Sequence, residues 1–268
     1  MIPQKTNQSI VKEEIYSKIP KLHFEWRIEQ TKFNRLVELI IEGKIEEINK
    51  FLQSNTFRWK ELCIYVCCIL SKKDLLIKLK DEMENYTKFL EMSCLAANIE
   101  LAKFFIESCE KRFPNSLLCC AAQSGSIEMV EYLALLGLKN WNAALSYACK
   151  CGDKNLAEYF MLKGANNFSS AFSFACMSGK MDVVQLFASK DLFDWNDYLL
   201  SACKSGNIEI VKLIISKGAD NWNGALSSAC ISKNIDVVKL IIEKGADNFV
   251  KRKFIFFFFL IFFFIYFN

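Results

Sequence analysis

Apolar positions in the second half of this chain return with a period of 27 residues, and two different rhythms alternate within each period. One segment is rich in small residues and places an Ala-Cys pair on the period at Ala148-Cys149, Ala175-Cys176, Ala202-Cys203 and Ala229-Cys230. The other carries an apolar stripe at i, i+3, i+6 and i+7, as in Ile208, Val211, Ile214 and Ile215, with Glu209 and Lys212 off the stripe. Such spacing predicts a short amphipathic helix with one face buried. The small-residue segment predicts a helix whose neighbours approach closely, a free cysteine behaving there as a small hydrophobe.

Punctuation falls where two helices per unit need it. Gly125, Gly152, Gly179 and Gly206 mark a turn between the helices, with Lys233 in the fifth slot. Ser126, Asp153, Asn207 and Asn234 follow as predicted N-caps of the second helix, Lys180 being the exception. First-helix caps are predicted at Asn115, Asn142, Ser169, Asn196 and Asn223. Lys163-Gly164, Lys217-Gly218 and Lys244-Gly245 end the units, a cation and then a left-handed cap. Trp141, Phe168, Trp195, Trp222 and Phe249 keep the same step, which predicts packing at the turn between repeats. A fixed period of this length predicts a stacked solenoid, each unit burying its apolar face against its neighbours.

Toward the N-terminus the pattern frays without vanishing. Leu90–Glu107 fits with one extra residue in the loop that follows; residues 57–79 and Phe33–Leu52, the latter broken by Gly43, hold further helix pairs. Residues 1–30 mix Lys and Glu without an apolar run, which predicts a cap or a loose tail and no signal peptide. The organisation predicted is an N-terminal segment 1–30, a repeat array 31–249 (degenerate over 30–114, regular over 115–249) and a tail 250–268.

The segment Lys204–Asp220, KSGNIEIVKLIISKGAD, resembles the second half of an ankyrin repeat, and NDYLLSAC before it is similar to that family's Thr-Pro-Leu-His-x-Ala-Ala stretch. The Thr-Pro and His positions are absent from every unit. The family's usual period is about 33 residues, so roughly six are missing, at the place of its projecting β-hairpin. The resemblance implies an all-α helical repeat solenoid of helix–turn–helix units in which that hairpin is shortened or absent. It also implies a non-enzymatic scaffold for a protein partner, bound along the concave edge by the two residues before each turn. Those are Gln123-Ser124, Lys150-Cys151, Met177-Ser178, Lys204-Ser205 and Ile231-Ser232. Gln123, Ser124, Lys150, Met177, Lys204, Ser205 and Ile231 are the candidate partner-binding residues. Short units written GADNWN…AL…AC…SG resemble the ankyrin arrays of large DNA viruses of amoebae and of some protists, and the viral likeness implies a protein engaging a host factor in the cytoplasm.

Composition narrows the chemistry. Net charge is only +4, from 34 basic and 30 acidic residues, and no Lys/Arg cluster is interleaved with aromatics, so no nucleic-acid partner is expected. His23 is the single histidine, and no phosphate-binding glycine motif appears, so no catalytic residue and no cofactor are assigned. The twelve cysteines include Cys63/Cys67, Cys119-Cys120 and Cys149/Cys151, but no paired Cys-x-x-Cys at zinc spacing. Free thiols and no metal are expected.

At Val250 the pattern stops, and nine of the chain's 24 phenylalanines fall in the last fifteen residues. Lys251-Arg252-Lys253 ahead of 14 apolar residues, 254–267, is one signature of a membrane anchor at the end of a cytosolic array. Fourteen helical residues reach about 21 Å against a hydrocarbon core of about 30 Å. The rival expectation is genetic: a T-rich reading frame, entered by frameshift or loss of a stop codon, encodes mostly Phe.

Overall fold

A computed structural model describes residues 15, 30–54, 57–80, 86–107, 113–187 and 195–246. The N-terminal segment with His23, most of the loop after Glu107, Phe249 and the Phe-rich tail lie outside the described residues. The chain divides into two compact units, 1–140 and 141–268. Sixteen helices and no strand are found among the described residues; the fold is all-α, and the described junctions between repeats, such as residues 163–167 and 217–221, are tight turns.

The first unit holds α1 (Gln30–Glu42), α2 (Ile45–Gln53), α3 (Phe57–Ile69), α4 (Lys73–Lys80), α5 (Tyr86–Leu95), α6 (Ile99–Glu107), α7 (Ser116–Ser124) and α8 (Ile127–Leu135). Odd-numbered first helices stack on one another, α1 on α3, α3 on α5 and α5 on α7, and each packs on its own second helix. Phe33, Leu36, Ile40, Leu62, Val66, Phe89, Phe105, Leu118 and Leu133 fill the interior. Between the two helices of each pair the backbone turns left-handed, at Gly43 (φ 69°), Ser71 (φ 52°), Ala97 (φ 55°) and Gly125 (φ 78°). These four positions carry the repeat into the part of the chain where the sequence pattern is faint.

The second unit repeats the plan with α9 (Trp141–Cys151), α10 (Lys154–Leu162), α11 (Phe168–Ser178), α12 (Met181–Gln185), α13 (Trp195–Ser205), α14 (Ile208–Ser216), α15 (Trp222–Ser232) and α16 (Ile235–Glu243). Its first helices α9, α11, α13 and α15 stack in order. Ala144, Ala148, Cys149, Ala171, Ala175, Cys176, Ala202, Cys203, Ala225 and Ala229 are fully buried between them. Small side chains at these places let the backbones come close, and burial pushes the thiols of Cys149, Cys176 and Cys203 up to about 12. In α14 Val211 and Ile214 of the expected stripe are buried and Ile208 and Ile215 half-covered, while Ile210, outside that stripe, is buried as well.

Second-helix caps form as the sequence predicts. Ser126 accepts from the Met129 N–H, Asp153 from Leu156, Asn207 from Glu209 and Ile210, and Asn234 from Asp236 and Val237, while Lys180 makes no side-chain cap. First-helix caps need correcting. The helices begin at the aromatic residue, so the caps are Asn167 and Asn221, which accept from Ser170 and Gly224. Ser169 and Asn223 lie inside the helices, and Asn115, though preceding α7, makes no side-chain cap. Asn142 and Asn196, one residue inside, instead reach the turn that ends their repeat. Asn142 Oδ1 accepts from the backbone N–H groups of Asn166 (2.7 Å) and Asn167 (2.9 Å). Asn196 Oδ1 does the same for Asp220 (2.9 Å) and Asn221 (2.8 Å). These bonds satisfy the tight turn left where the hairpin is missing, whose backbone N–H groups have no ladder partner.

Aromatic residues at the starts of α9, α11 and α13 pack against rings of their own or the preceding repeat. Trp141 meets Phe160, Phe168 meets Phe187, and Trp195 stacks edge-on against Phe172 of the repeat before, with the Lys217 ammonium over its ring. A second link uses the asparagine caps. Asn207 Nδ2 donates to the Gly179 carbonyl at 2.9 Å and Asn234 Nδ2 to that of Gly206 at 2.7 Å. In the first unit Asn98 likewise caps Leu101 and donates to the Cys68 carbonyl.

Candidate functional site

The last turn of each first helix, the left-handed residue and the second-helix cap form one edge of each unit. A serine before the turn organises it. Ser124, Ser178, Ser205 and Ser232 donate their hydroxyl protons to the carbonyls of Ala121, Ala175, Ala202 and Ala229. The same oxygens accept from the backbone N–H groups of Ser126, Lys180, Asn207 and Asn234. Of the candidate residues, Ser124 and Ser205 therefore already serve the backbone, and Ser124 is buried. Cys151 breaks the serine series and is exposed.

The residue before the serine points outward. In the first unit this is Gln123, half-buried at the end of α7. In the second unit Lys150, Met177, Lys204 and Ile231 stand in the last turns of α9, α11, α13 and α15, four helices that pack side by side. Packed helices lie about 8–10 Å apart, which sets the spacing of the rungs. Ile231 is 65% exposed, Lys204 is exposed, and Lys150 and Met177 are half-covered. Lys150 holds its ammonium 5.7 Å from the centre of the Tyr147 ring.

Beneath the rungs the first-helix face of the second unit is hydroxyl-rich. Ser146 meets Ser170 at 3.4 Å, Ser173 meets Ser201 at 2.8 Å and Ser169 meets the Tyr198 hydroxyl at 2.9 Å. On the same face Tyr147 is exposed and Leu200 half-covered; neither belongs to the pair of residues before the turn on which the resemblance places the binding edge. The first unit differs in its charges. Lys88 lies between Glu61 (3.0 Å) and Glu91 (3.1 Å), and Glu91 also accepts from Ser116 at 2.9 Å, so α3, α5 and α7 are tied by a satisfied polar chain. Burial works against the Lys88 ammonium, yet the two carboxylates hold its pKa above the ordinary lysine range.

Among the described residues no three His, Cys, Asp or Glu side chains converge as a metal ion would need. Cys63 and Cys67 are both buried in α3, and burial raises the Cys67 thiol well above its ordinary pKa.

The family model described as "Ankyrin repeats (3 copies)" matches residues 90–171, 145–223 and 172–252, together more than half of the 268 residues. The chain belongs to the ankyrin-repeat family. No curated protein matches it. In these ankyrin repeats the missing Thr-Pro and His positions leave the turn to Asn142 and Asn196, which hold it from within the first helix. The match begins at Leu90, whereas the left-handed turns at Gly43 and Ser71 place two further helix pairs ahead of it.

Proposed function

We propose that this ankyrin-repeat protein is a non-enzymatic scaffold that holds a protein partner along the first-helix edge. The observation that carries the reading is a constant frame with variable rungs. In the second unit serine, turn residue and cap recur and bond to the backbone, while the outward residue changes across Lys150, Met177, Lys204 and Ile231; Gln123 holds the corresponding position in the first unit. Ankyrin repeats as a family support protein–protein interaction, and a repeated frame leaves those side chains to determine which protein is held. Affinity copurification with mass spectrometry tests it, with wild type beside the Lys150→Glu/Lys204→Glu pair. A stoichiometric protein lost with the pair supports the reading; identical partners from both baits, with helicity unchanged, reject it.

The likeness of the short units to arrays of large amoebal DNA viruses supports a viral protein acting on a host factor in the host cytoplasm. A second reading is carried by Lys251-Arg252-Lys253 and the apolar run 254–267: the array is attached to a membrane through its tail. The tail lies outside the described residues, and among those no helix is long and apolar enough to cross a membrane. Full-length protein that stays in the soluble fraction of lysed cells would end the second reading.

A further inference from the structure

Lys180 breaks a rule that the neighbouring repeats obey. At its position the side chains of Ser126, Asp153, Asn207 and Asn234 all accept backbone N–H bonds, and a lysine side chain has no acceptor. Its cation also sits at the positive end of the helix dipole. The helix it opens, α12, has only five residues, against nine in α10, α14 and α16. Residues that break a local folding rule tend to fall at functional or strained sites.

The side chain has a defined course. A Cβ built on Gly152 would lie 2.5 Å from Lys180 Cγ and 3.5 Å from its Cδ, so the aliphatic stem crosses the turn of the preceding repeat. Lys180 is thereby carried toward the repeat that bears Lys150, while Lys204 follows in the next repeat. Neither Lys180 nor Lys204 forms an ion pair with a described residue. The four first helices of this unit contain just one acidic residue, Asp197, and it lies in the first turn of α13, away from these lysines. Nearby second-helix acids are engaged or dipole-matched. Asp153 caps α10, Glu209 pairs with Lys212 at 2.9 Å, and Asp182 and Asp236 lie in first turns. In the first unit the first-helix lysine Lys88 is neutralised by two glutamates, whereas Lys204 pairs with no described carboxylate. Met177 and Ile231 alternate with Lys150 and Lys204 along the rungs.

From this we infer that the edge of the second unit binds an acidic protein segment with apolar side chains between its carboxylates. The carboxylates meet Lys150, Lys180 and Lys204, and the apolar groups meet Met177 and Ile231. The inference rests on the scaffold reading and adds the chemistry of the partner. An extended segment advances about 3.3 Å per residue, so one rung of 8–10 Å corresponds to about three residues. Acids about six residues apart around a central apolar residue fit Lys150, Met177 and Lys204.

Selection of a random peptide display library on the purified full-length chain tests the inference, followed by titration of the enriched peptide, fluorescently labelled. Enriched sequences carry paired acids flanking Leu, Ile, Met or Phe, and binding weakens with added salt. Lys150→Glu, Lys180→Glu and Lys204→Glu each weaken binding about threefold to tenfold at unchanged helicity, and changing the peptide's acids to amides does the same. Enriched peptides without acids, or acidic peptides indifferent to all three reversals, overturn the acidic-partner inference; the scaffold reading stands where the copurifying protein is still lost with the Lys150→Glu/Lys204→Glu pair. A 20-nucleotide single-stranded DNA that binds the same lysines more tightly than the peptide overturns it in favour of nucleic acid. Enrichment of no peptide, together with no copurifying protein, overturns both.

Discussion

Asn207 performs two tasks with one side chain, and isosteric replacement separates them. Its Oδ1 caps α14 through the N–H groups of Glu209 (3.0 Å) and Ile210 (3.3 Å), and its Nδ2 ties the repeat to the preceding one through the Gly179 carbonyl (2.9 Å). Asn207→Ala removes both. Loss of an N-cap costs about 1 kcal/mol, and loss of a neutral hydrogen bond a further ~1 kcal/mol, so the alanine variant is expected to lose about 2 kcal/mol in all. Asn207→Asp keeps the cap acceptor, as Asp153 does in its own repeat, and sets a carboxylate at a helix N-terminus, worth about 0.3–1 kcal/mol. It lacks the donor and brings a carboxylate oxygen to the Gly179 carbonyl, so its net cost is about 1 kcal/mol. Urea denaturation followed by circular dichroism at neutral pH, with tryptophan fluorescence as a second probe, reads the order wild type, Asp, Ala. Aspartate equal to wild type would mean that the link between repeats contributes nothing. Aspartate as damaging as alanine would mean that the cap contributes nothing; either result refutes the division.

Lys233 occupies the left-handed turn at φ 59°, where a non-glycine residue costs about 1–2 kcal/mol and glycine's unfolded freedom returns part of that. Lys233→Gly is therefore expected to stabilise by about 0.5–1 kcal/mol, read as a higher urea midpoint; a lower one contradicts the assignment. Gly179 and Gly206 have similar φ, 71° and 73°, but a Cβ on Gly206 would sit 3.3 Å from Ser232 Cβ and one on Gly179 an ordinary 3.5 Å from Ser205 Cβ. Gly206→Ala is thus expected to cost more than Gly179→Ala, itself about 1–2 kcal/mol, in the same denaturation assay. For the buried thiols, Cys149, Cys176 and Cys203 are expected to resist iodoacetamide at pH 8 in the folded chain while exposed Cys151 reacts, as mapped by peptide mass spectrometry. Their folded pKa of about 12 exceeds the ordinary 9.0, so the stability that comes from keeping them protonated is full below pH 9 and declines as pH rises toward 12. Cys176→Ala should shrink the fall in urea midpoint between pH 8 and pH 10; an unchanged fall counts against the burial argument.

The repeat frame was readable because it rests on residue types with few alternatives. Glycine at a positive φ, an oxygen-bearing cap and small residues between close helices each declare a local conformation. Ser71 and Ala97 hide the same turn behind ordinary side chains, which is why the first unit is faint in sequence though its left-handed residues are plain in the structure. The first-helix caps were misplaced because Asn142 and Asn196 are good caps in isolation. What assigns them elsewhere is the turn more than twenty residues on, which a local pattern does not contain. On the edge, the outward positions could be named by resemblance, but the backbone role of Ser124 and Ser205 needed coordinates. So did the course of Lys180 over Gly152, which joins an odd cap to a neighbouring repeat.

The links between repeats in the second unit are short in sequence: Asn207 to Gly179 and Asn234 to Gly206 each span 28 residues, and Ser173 to Ser201 the same. Each repeat thus carries its own fastenings to the one before. A duplicated or deleted block of 27 codons would join such a stack without orphaning a bond to a distant partner, moving the edge by one rung at a time. Under the proposed scaffold role, a change in the number of repeats would alter the edge as readily as a change of Lys150 or Ile231. Comparison of related genes should find insertions and losses in whole multiples of that block.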